Sequence, residues 1–369
     1  MGSNAELDIP NFDDLPEVEG MPQGCAWGVF DKDGKKDVHG TLNLLTPDIV
    51  KAAAAEVKEG VSISLNWPLD SLKFPLPGRP RPVHKHQNIR ESGLLASESS
   101  DEQHAAAAAA ADAWDDFIEF NTQCSSQWDS LCHYSHQPSR LSYNGARCTK
   151  DSLAAAAASD QQQQLLPLPT LDHWHSRGGL VARGVLLDVR AYLDEVKGVP
   201  AALASACSGR RISVDELEAV AAHQGVEFRR GDVLVVRTGF TEEMEGCETA
   251  EEQMALLARG ALSGVENSVE VARWVWDRHF AAVASDSMAF EGVGADPEKE
   301  TGKPWSLRDD MVLHQYFLSM FGLSIGEMWD LKALAAHCRK TGRYSFMLTS
   351  VPLRIPCLVG SPPNALAIF

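Results

Sequence analysis

Polar side chains recur at every second position in the segment that runs from Gln123 to His133. Along an extended strand such positions point to one face, because successive side chains lie on opposite sides of the backbone. In chain order the predicted face carries Gln123, Ser125, Gln127, Asp129, Leu131 and His133. Two amides, a carboxylate and an imidazole are unsuited to a core face. The segment therefore predicts the wall of a polar site.

Asp129 and His133 are the residues that we predict to be catalytic. A carboxylate beside Trp128 and Leu131 is costly to bury unless it is paired with a cation or bound to a metal ion. Asp129 is therefore either a metal ligand or the partner of an arginine. An ordinary histidine titrates near neutral pH, so His133 could transfer a proton, although a lone histidine is also common at the rim of a core.

The segment resembles the His-x-Gly-Thr-His-x-Asp-x-Pro-x-His signature of the putative cyclase family, which includes bacterial kynurenine formamidase and isatin hydrolase. Asp129 and His133 match that signature, whereas Gln123 and Gln127 stand where the family has its first two histidines. The other replacements are Ser125-Ser126 for Gly-Thr and Leu131 for Pro. The resemblance implies that the first two His positions and the Asp bind a divalent metal ion, with the last His beside it as acid or base.

Other stretches resemble the family in the same order along the chain. They are Trp27-Gly28 and residues 40–46, 183–188, 231–239 and 284–287. His314 and Glu327 match a second His and Glu pair, which in two-metal members holds the second ion together with the shared Asp. The resemblance thus implies a three-ligand site made of Asp129, His314 and Glu327.

The two glutamines leave the metal chemistry open. An amide oxygen binds metal ions more weakly than imidazole does, and oxygen ligands suit Mg, Ca or Mn better than Zn. Gln123 and Gln127 could complete the shell of an oxygen-preferring ion, or the protein could keep only the second site or no metal at all. Either glutamine could instead hydrogen-bond to backbone or substrate.

The leading hypothesis is a metal-dependent hydrolase of a small cyclic amide, ester, lactone or N-acyl aromatic compound, with Mn, Zn or Mg as cofactor. For the substrate we predict apolar walls from Trp27, Trp67 and Trp128, with Ser126 as a polar contact. The alternative is a metal-free cyclase, dehydratase or isomerase of secondary metabolism that uses His133 and Asp129 as acid and base. A non-catalytic scaffold is a third reading, and four family-matching polar residues argue against it.

Composition excludes several other classes of function. The chain has 369 residues and a formal net charge of −18, which disfavours nucleic acid and anionic membranes as partners. No apolar stretch approaches the ~20 residues that span a bilayer. The first residues show no basic region followed by an apolar one, so we do not expect a secretory signal. The eight cysteines show no close pairing, so we expect free thiols and a cytoplasmic location. The motifs His84-x-His86 and His173-x-His175 could each place two imidazoles on one strand face. Both fall in segments that we expect to be loops, so we do not predict that either binds a metal ion.

Strand and helix signals alternate along the chain, which predicts an α/β fold with a mixed sheet or partly closed barrel. The family resemblance sharpens this to a swivelling β/β/α fold and implies a homodimer or homotetramer. We expect an extended amino-terminal wrap over residues 1–45 and one domain over 46–369, with low-complexity insertions near 95–112 and 151–168. Predicted strands are 61–67, 181–189, 232–240, 281–285 and 344–355; predicted helices are 46–59, 213–225, 266–280 and 309–320.

Overall fold

A mixed sheet of nine strands forms the centre of the computed structural model, in the order β1-β13-β11-β5-β7-β9-β10-β4-β12. The structure describes residues 8–89, 112–158, 167–258, 260–294, 303, 306, 308 and 310–369. Strands β5, β7, β9 and β10 are parallel neighbours, and the outer pairs are antiparallel. The sheet curls into a half-barrel, so the predicted α/β fold with a partly closed barrel is confirmed.

Thirteen strands are defined in the described part of the chain, and β2–β3 and β6–β8 form separate two-stranded sheets. The strands are β1 Ser62–Ser64, β2 Val83–Asn88, β3 Trp114–Glu119, β4 Gln127–Asp129, β5 Leu180–Asp188, β6 Arg211–Ile212, β7 Val233–Arg237, β8 Gly264–Val265, β9 Ala282–Ser285, β10 Ile325–Glu327, β11 Ser345–Ser350, β12 Gly360–Ser361 and β13 Ala365–Ile368.

Helices of three kinds connect these strands. The α-helices are Pro47–Ala54, Lys150–Ala158, Val189–Ala191, Ala201–Ala204, Val214–Gln224, Phe240–Glu245, Ala250–Leu257, Val269–Asp277, Val312–His314 and Lys332–Thr341. Two of them continue as the π-helices Tyr192–Val196 and Gln315–Phe321. The 3₁₀ turns are Phe12–Asp14, Gly40–Leu44, Tyr143–Gly145 and Leu171–Arg177.

The centre of the sheet is apolar on both faces. All residues of β7 are buried, as expected for a parallel strand with both faces covered. Leu234 and Val236 pack into one core cluster, whereas Val233 and Val235 pack into a second cluster on the other face. The alternation follows from the strand period of two, and it places a separate core on each side of the sheet.

Two of the four predicted helices begin at their predicted caps, whereas those predicted from 266 and 309 begin at Val269 and Val312. Thr46 caps the first helix through the amide of Ile49, and the Ser213 hydroxyl accepts a hydrogen bond from the amide of Glu216. The second of these helices ends at Gly225 in the left-handed conformation, as predicted. The first helix instead ends at Ala54, because the chain turns before Gly60. Strands β1, β7 and β11 are likewise shorter than predicted.

The prediction of one continuous strand from Gln123 to His133 is wrong. Only Gln127–Asp129 is strand, and the chain turns on either side of it. The amide of Cys124 donates to the carbonyl of Asn121, and that of His133 to the carbonyl of Ser130, each over 3.0 Å. The Ser125 hydroxyl therefore points away from the predicted face and bonds to the carbonyls of residues 67 and 68.

The amino-terminal segment contributes to the core. Phe12, Cys25 and Ala26 are buried, and the amide of Ala26 donates to the carbonyl of Met320 on the π-helix. The first predicted insertion, near 95–112, lies outside the described residues except for Asp112. The second begins with the helix Lys150–Ala158, which buries no side chain.

Gly40 and Gly322 bring two backbone segments into close contact. A Cβ at Gly40, where φ is +56°, would lie 1.8 Å from the carbonyl oxygen of Gly322. We expect Gly40→Ala to lower the free energy of unfolding by about 3 kcal/mol, from backbone strain and overpacking together. Urea unfolding would measure it. Gly78→Ala is the control, since φ is +72° there with open space around it. Equal losses in the two variants would contradict the prediction.

Candidate functional site

Three buried polar residues meet where β4 and β10 pair. Asp129, His314 and Glu327 each offer one ligand atom, and these atoms lie within 4.8 Å of one another. The antiparallel register places Glu327 opposite Gln127 and Ile325 opposite Asp129, which brings both carboxylates to one face of the sheet. His314 ends the helix Val312–His314 and is presented from the layer packed on that face.

The other face of the same two strands is apolar core. Trp128 is fully buried, and its ring lies edge-on to Trp329 with centroids 4.9 Å apart. Its indole nitrogen donates to the hydroxyl of Ser350 over 2.8 Å. Opposite Trp128 stands Gly326, where a Cβ would lie 2.8 Å from the Trp329 ring. The structure therefore does not bring Trp128 to the site as a substrate wall.

The two glutamines link the carboxylates of the site. The Gln127 amide nitrogen donates to Glu327 Oε2 over 2.9 Å and to Gln123 Oε1 over 2.6 Å. The Gln123 amide nitrogen donates in turn to Asp129 Oδ1 over 2.6 Å. The Gln127 amide atom that faces these two oxygens must be the nitrogen, because only the nitrogen can donate a hydrogen bond. The glutamines thus form a relay of hydrogen bonds between Glu327 and Asp129.

Glu291 belongs to the site, and sequence reasoning missed it. It is fully buried, and its Oε2 accepts from His314 Nδ1 over 2.7 Å while its Oε1 accepts from the His314 amide. The contact leaves the other ring nitrogen, Nε2, facing Glu327 Oε1 at 3.3 Å. Tyr134, also missed, packs edge-on against the His314 ring. In the sequence Glu291 is a single acidic residue between Phe290 and Gly292, and such a residue does not by itself indicate a site.

Burial and neighbouring charges shift the pKa values of the site in different directions. Burial, with Asp129 close by, raises the pKa of Glu327 to about 7. Burial disfavours the His314 cation, but the charges and hydrogen bonds of Glu291 and Glu327 outweigh it and raise the pKa of His314 well above its usual value. Burial lowers the pKa of His133, although Asp129 acts against it. His133 is therefore neutral at pH 7.

His133 lies at the solvent side of the cluster. Its Nε2 is 3.8 Å from Asp129 Oδ1, and its side chain is 21% exposed whereas that of Asp129 is fully buried. Of these two side chains, only that of His133 is therefore in contact with solvent. The structure brings Gln123, Gln127, Asp129 and His133 together despite the turns that interrupt the predicted strand.

The types of side chain in the site, and the surroundings of two of its oxygen atoms, fit a divalent metal ion. Asp129 Oδ2 and Gln127 Oε1 are buried without a hydrogen-bond partner among the described residues. Buried polar atoms are normally satisfied, so each of these calls for a partner. Three buried carboxylates with one imidazole also concentrate negative charge, which a cation would offset. One nitrogen with carboxylate and amide oxygens is a ligand set that Mn, Mg and Zn all accept.

The remaining predicted substrate contacts are placed as follows. The Ser126 hydroxyl accepts from the Trp67 amide over 2.9 Å. The Trp67 side chain is 2% exposed, packs with Met328 and donates to Glu245. Trp27 is half-buried and donates over 2.6 Å to the carbonyl of Ser319, on the π-helix that follows His314. Contact of these residues with a substrate stays a prediction.

A family model described as "Putative cyclase" matches residues 45–292. This span is more than half of the sequence, so the chain belongs to that cyclase family, as its resemblance predicted. No curated protein is a significant match to the chain.

Solved structures share the fold. The crystal structure of a novel cyclase is 27% identical, covers 94% of this chain and 99% of its own, and has a TM-score of 0.71. Isatin hydrolase A from Labrenzia aggregata, solved with benzyl benzoate bound, is 13% identical and covers 89% of this chain and 98% of its own, with a TM-score of 0.50. The second likeness shows the fold alone.

Three further sequence predictions concern the rest of the chain. All eight cysteines are free thiols, as their spacing predicted. Within the described ranges, no helix has the length and apolar character needed to cross a bilayer. His173 and His175 lie in a 3₁₀ turn rather than a loop, and each ring contacts a backbone carbonyl.

Proposed function

We propose that this protein is a metal-dependent hydrolase of a small cyclic amide, ester, lactone or N-acyl aromatic compound. The observation that carries the proposal is the buried cluster of Asp129, His314 and Glu327. Asp129 Oδ2 and Gln127 Oε1 have no hydrogen-bond partner among the described residues. Membership of the cyclase family supports an enzyme, and the fold shared with an isatin hydrolase makes cyclic amides the first substrates to test. The predicted cytoplasmic location and homodimer or homotetramer are part of the same proposal.

In this proposal Asp129, His314 and Glu327 would hold the ion, and Gln127 would offer its Oε1 as a further ligand. A divalent ion at such a site polarises a carbonyl group and acidifies water. Glu291 fixes the ring orientation of His314 by accepting from Nδ1, as carboxylates commonly do behind metal-binding histidines. Gln123 plays the corresponding part for Asp129, because its amide nitrogen donates to Oδ1 and not to Oδ2, which is the oxygen left to bind the ion.

His133 is the proton carrier in this mechanism. Its lowered pKa keeps the ring neutral at pH 7, so that it can accept a proton from the attacking water. The same ring can return that proton to the leaving amide nitrogen or alkoxide oxygen as the carbon–heteroatom bond breaks. Partial exposure of the ring beside the buried Asp129 carboxylate suits a group that must meet both water and substrate.

A metal-free cyclase, dehydratase or isomerase is the second candidate. The hydrogen-bond relay through both glutamines, together with the contact between His314 and Glu327, supports it. These contacts connect Asp129 and Glu327 through other side chains, so the two carboxylates can stay close together without a metal ion. In that case His133 and Asp129 would be the acid and base.

A substrate screen with controlled metal content distinguishes the two candidates. The tag-free protein would be dialysed against a strong chelator, returned to Mn, Mg or Zn separately, and assayed on cyclic amides, lactones and N-acyl anilines. The hydrolase proposal predicts ring opening or deacylation that is lost with the chelator and restored by at least one ion. Turnover that is unaffected by the chelator would favour the metal-free candidate.

Glu291→Gln is expected to weaken metal binding at the site by about 10–100-fold. The amide keeps the size of the side chain but cannot supply the negative charge behind His314. Competition with a fluorescent chelator would measure the affinity. Glu270→Gln, an exposed change on the helix Val269–Asp277, is the matched control. Equal affinity in the two variants would show that Glu291 does not support the ion.

A further inference from the structure

A second group of metal-ligating side chains lies on the ribbon formed by β2 and β3. The strands are antiparallel, with His86 directly opposite Asp116 and His84 opposite Ile118. His84 and His86 are two residues apart, so both side chains lie on the same face as Asp116. The sequence-based expectation that this segment is a loop is therefore wrong. The strand pairing supplies a cross-strand carboxylate that the His84-x-His86 spacing alone does not reveal.

The three side chains are already close enough to share one ion. One ligand atom from each lies within 4.8 Å of the others. His84 Nε2 is 2.7 Å from Asp116 Oδ1, His86 Nε2 is 3.8 Å from the same oxygen, and the two imidazole rings are 4.4 Å apart. The side chains of His84, His86 and Asp116 are 50%, 70% and 57% exposed, so water can complete the coordination shell.

We infer that His84, His86 and Asp116 form a surface site for Zn²⁺. Two imidazoles and one carboxylate are ligands that Zn²⁺ accepts, and water can fill the fourth tetrahedral position. Lys85, which would repel a cation, lies on the opposite face with its ammonium group over the Phe117 ring. The site lies on the ribbon rather than on the nine-stranded sheet, and it does not depend on the proposed function.

The consequence of such a site would be a ribbon locked in its paired form. Every residue of β3 and all of β2 except Asn88 are exposed, so the core contributes little to the pairing of these strands. A two-stranded ribbon of this kind is marginally stable in water. An ion that needs ligands from both strands binds only the paired form and stabilises it by mass action.

Zinc stoichiometry tests the site directly. The full-length, tag-free protein would be dialysed to equilibrium against Zn²⁺ and compared with the double variant His84→Asn/His86→Asn. The double variant is expected to bind one Zn²⁺ fewer per chain, with unchanged circular dichroism. Lys85→Gln, on the other face of the same strand, is the control and should bind as much as the wild type. Because the readout is a difference, it holds whether the buried cluster is filled or empty.

Two further measurements test the role of Asp116 and the effect of Zn²⁺ on the pairing of the ribbon strands. Asp116→Asn should weaken this Zn²⁺ binding at least about 100-fold. Loss of a residue that only supports a metal ligand costs up to about 100-fold in affinity, and loss of a ligand should cost more. In the wild type, Zn²⁺ should slow amide hydrogen exchange in residues 83–88 and 114–119, and it should not do so in the double variant. Equal stoichiometry in the wild type and the double variant would overturn the site. Binding with unchanged exchange would overturn the locking of the ribbon.

Discussion

Asp129→Asn is expected to remove both the bound ion and the hydrolytic activity, with kcat/KM reduced by at least about 1,000-fold. Asp129 contributes a buried carboxylate oxygen that has no hydrogen-bond partner among the described residues, and asparagine cannot supply its charge. A loss of that size corresponds to about 4 kcal/mol of transition-state stabilisation, within what Lewis-acid catalysis supplies. Metal analysis and steady-state kinetics on the best substrate of the screen would measure the two effects.

The substitution keeps the shape of the side chain, so loss of function should not come from unfolding. Gln123 can still donate to the remaining oxygen of the asparagine, and thermal unfolding would verify that the variant is folded. Asp215→Asn, an exposed change in the first turn of the helix Val214–Gln224, is the matched control. A folded Asp129→Asn variant with full activity would rule out the mechanism.

His133→Ala is expected to lower kcat by about 100- to 10,000-fold, the usual contribution of a general acid–base group. The ion should be retained, because the proposed ligands are other residues. In the wild type, kcat/KM should rise with pH through a pKa below 6.5, since the neutral ring is the base and its pKa is lowered by burial. The variant should lose this acidic limb of the pH profile.

A histidine outside the site serves as the control for this variant. His223→Ala removes an exposed ring that packs beside Tyr192, and it should leave both rate and pH profile unchanged. If His133→Ala lost the ion as well as the activity, His133 would be a ligand rather than a proton carrier. An unchanged rate would exclude either role.

The sequence predicted the fold where local signals and burial agree. Strand β5 and the capped helix Val214–Gln224 fall close to their predicted bounds, because an apolar run and a cap each act locally. The segment around Asp129 was harder, since its turns depend on backbone hydrogen bonds at Asn121 and Ser130 that the polar alternation does not specify.

The candidate site could be predicted only in part for a similar reason. The match to the motifs of the cyclase family pointed to Asp129, His314 and Glu327, and the structure places their ligand atoms together. Glu291 reaches His314 from a segment 23 residues earlier in the chain, and no spacing rule connects the two. Trp128 was expected beside the substrate, but strand parity places it in the core on the opposite face.

Metal content is the measurement that tests the central claim most directly. Plasma mass spectrometry would compare wild type and Asp129→Asn, both tag-free and both passed over a chelating resin that strips exposed sites. The proposal predicts about one Mn, Mg or Zn per chain in the wild type and none in the variant. A folded wild type that carries no ion after this treatment, and takes up no more Mn, Mg or Zn than Asp129→Asn when the ions are supplied, would contradict a metal-dependent hydrolase.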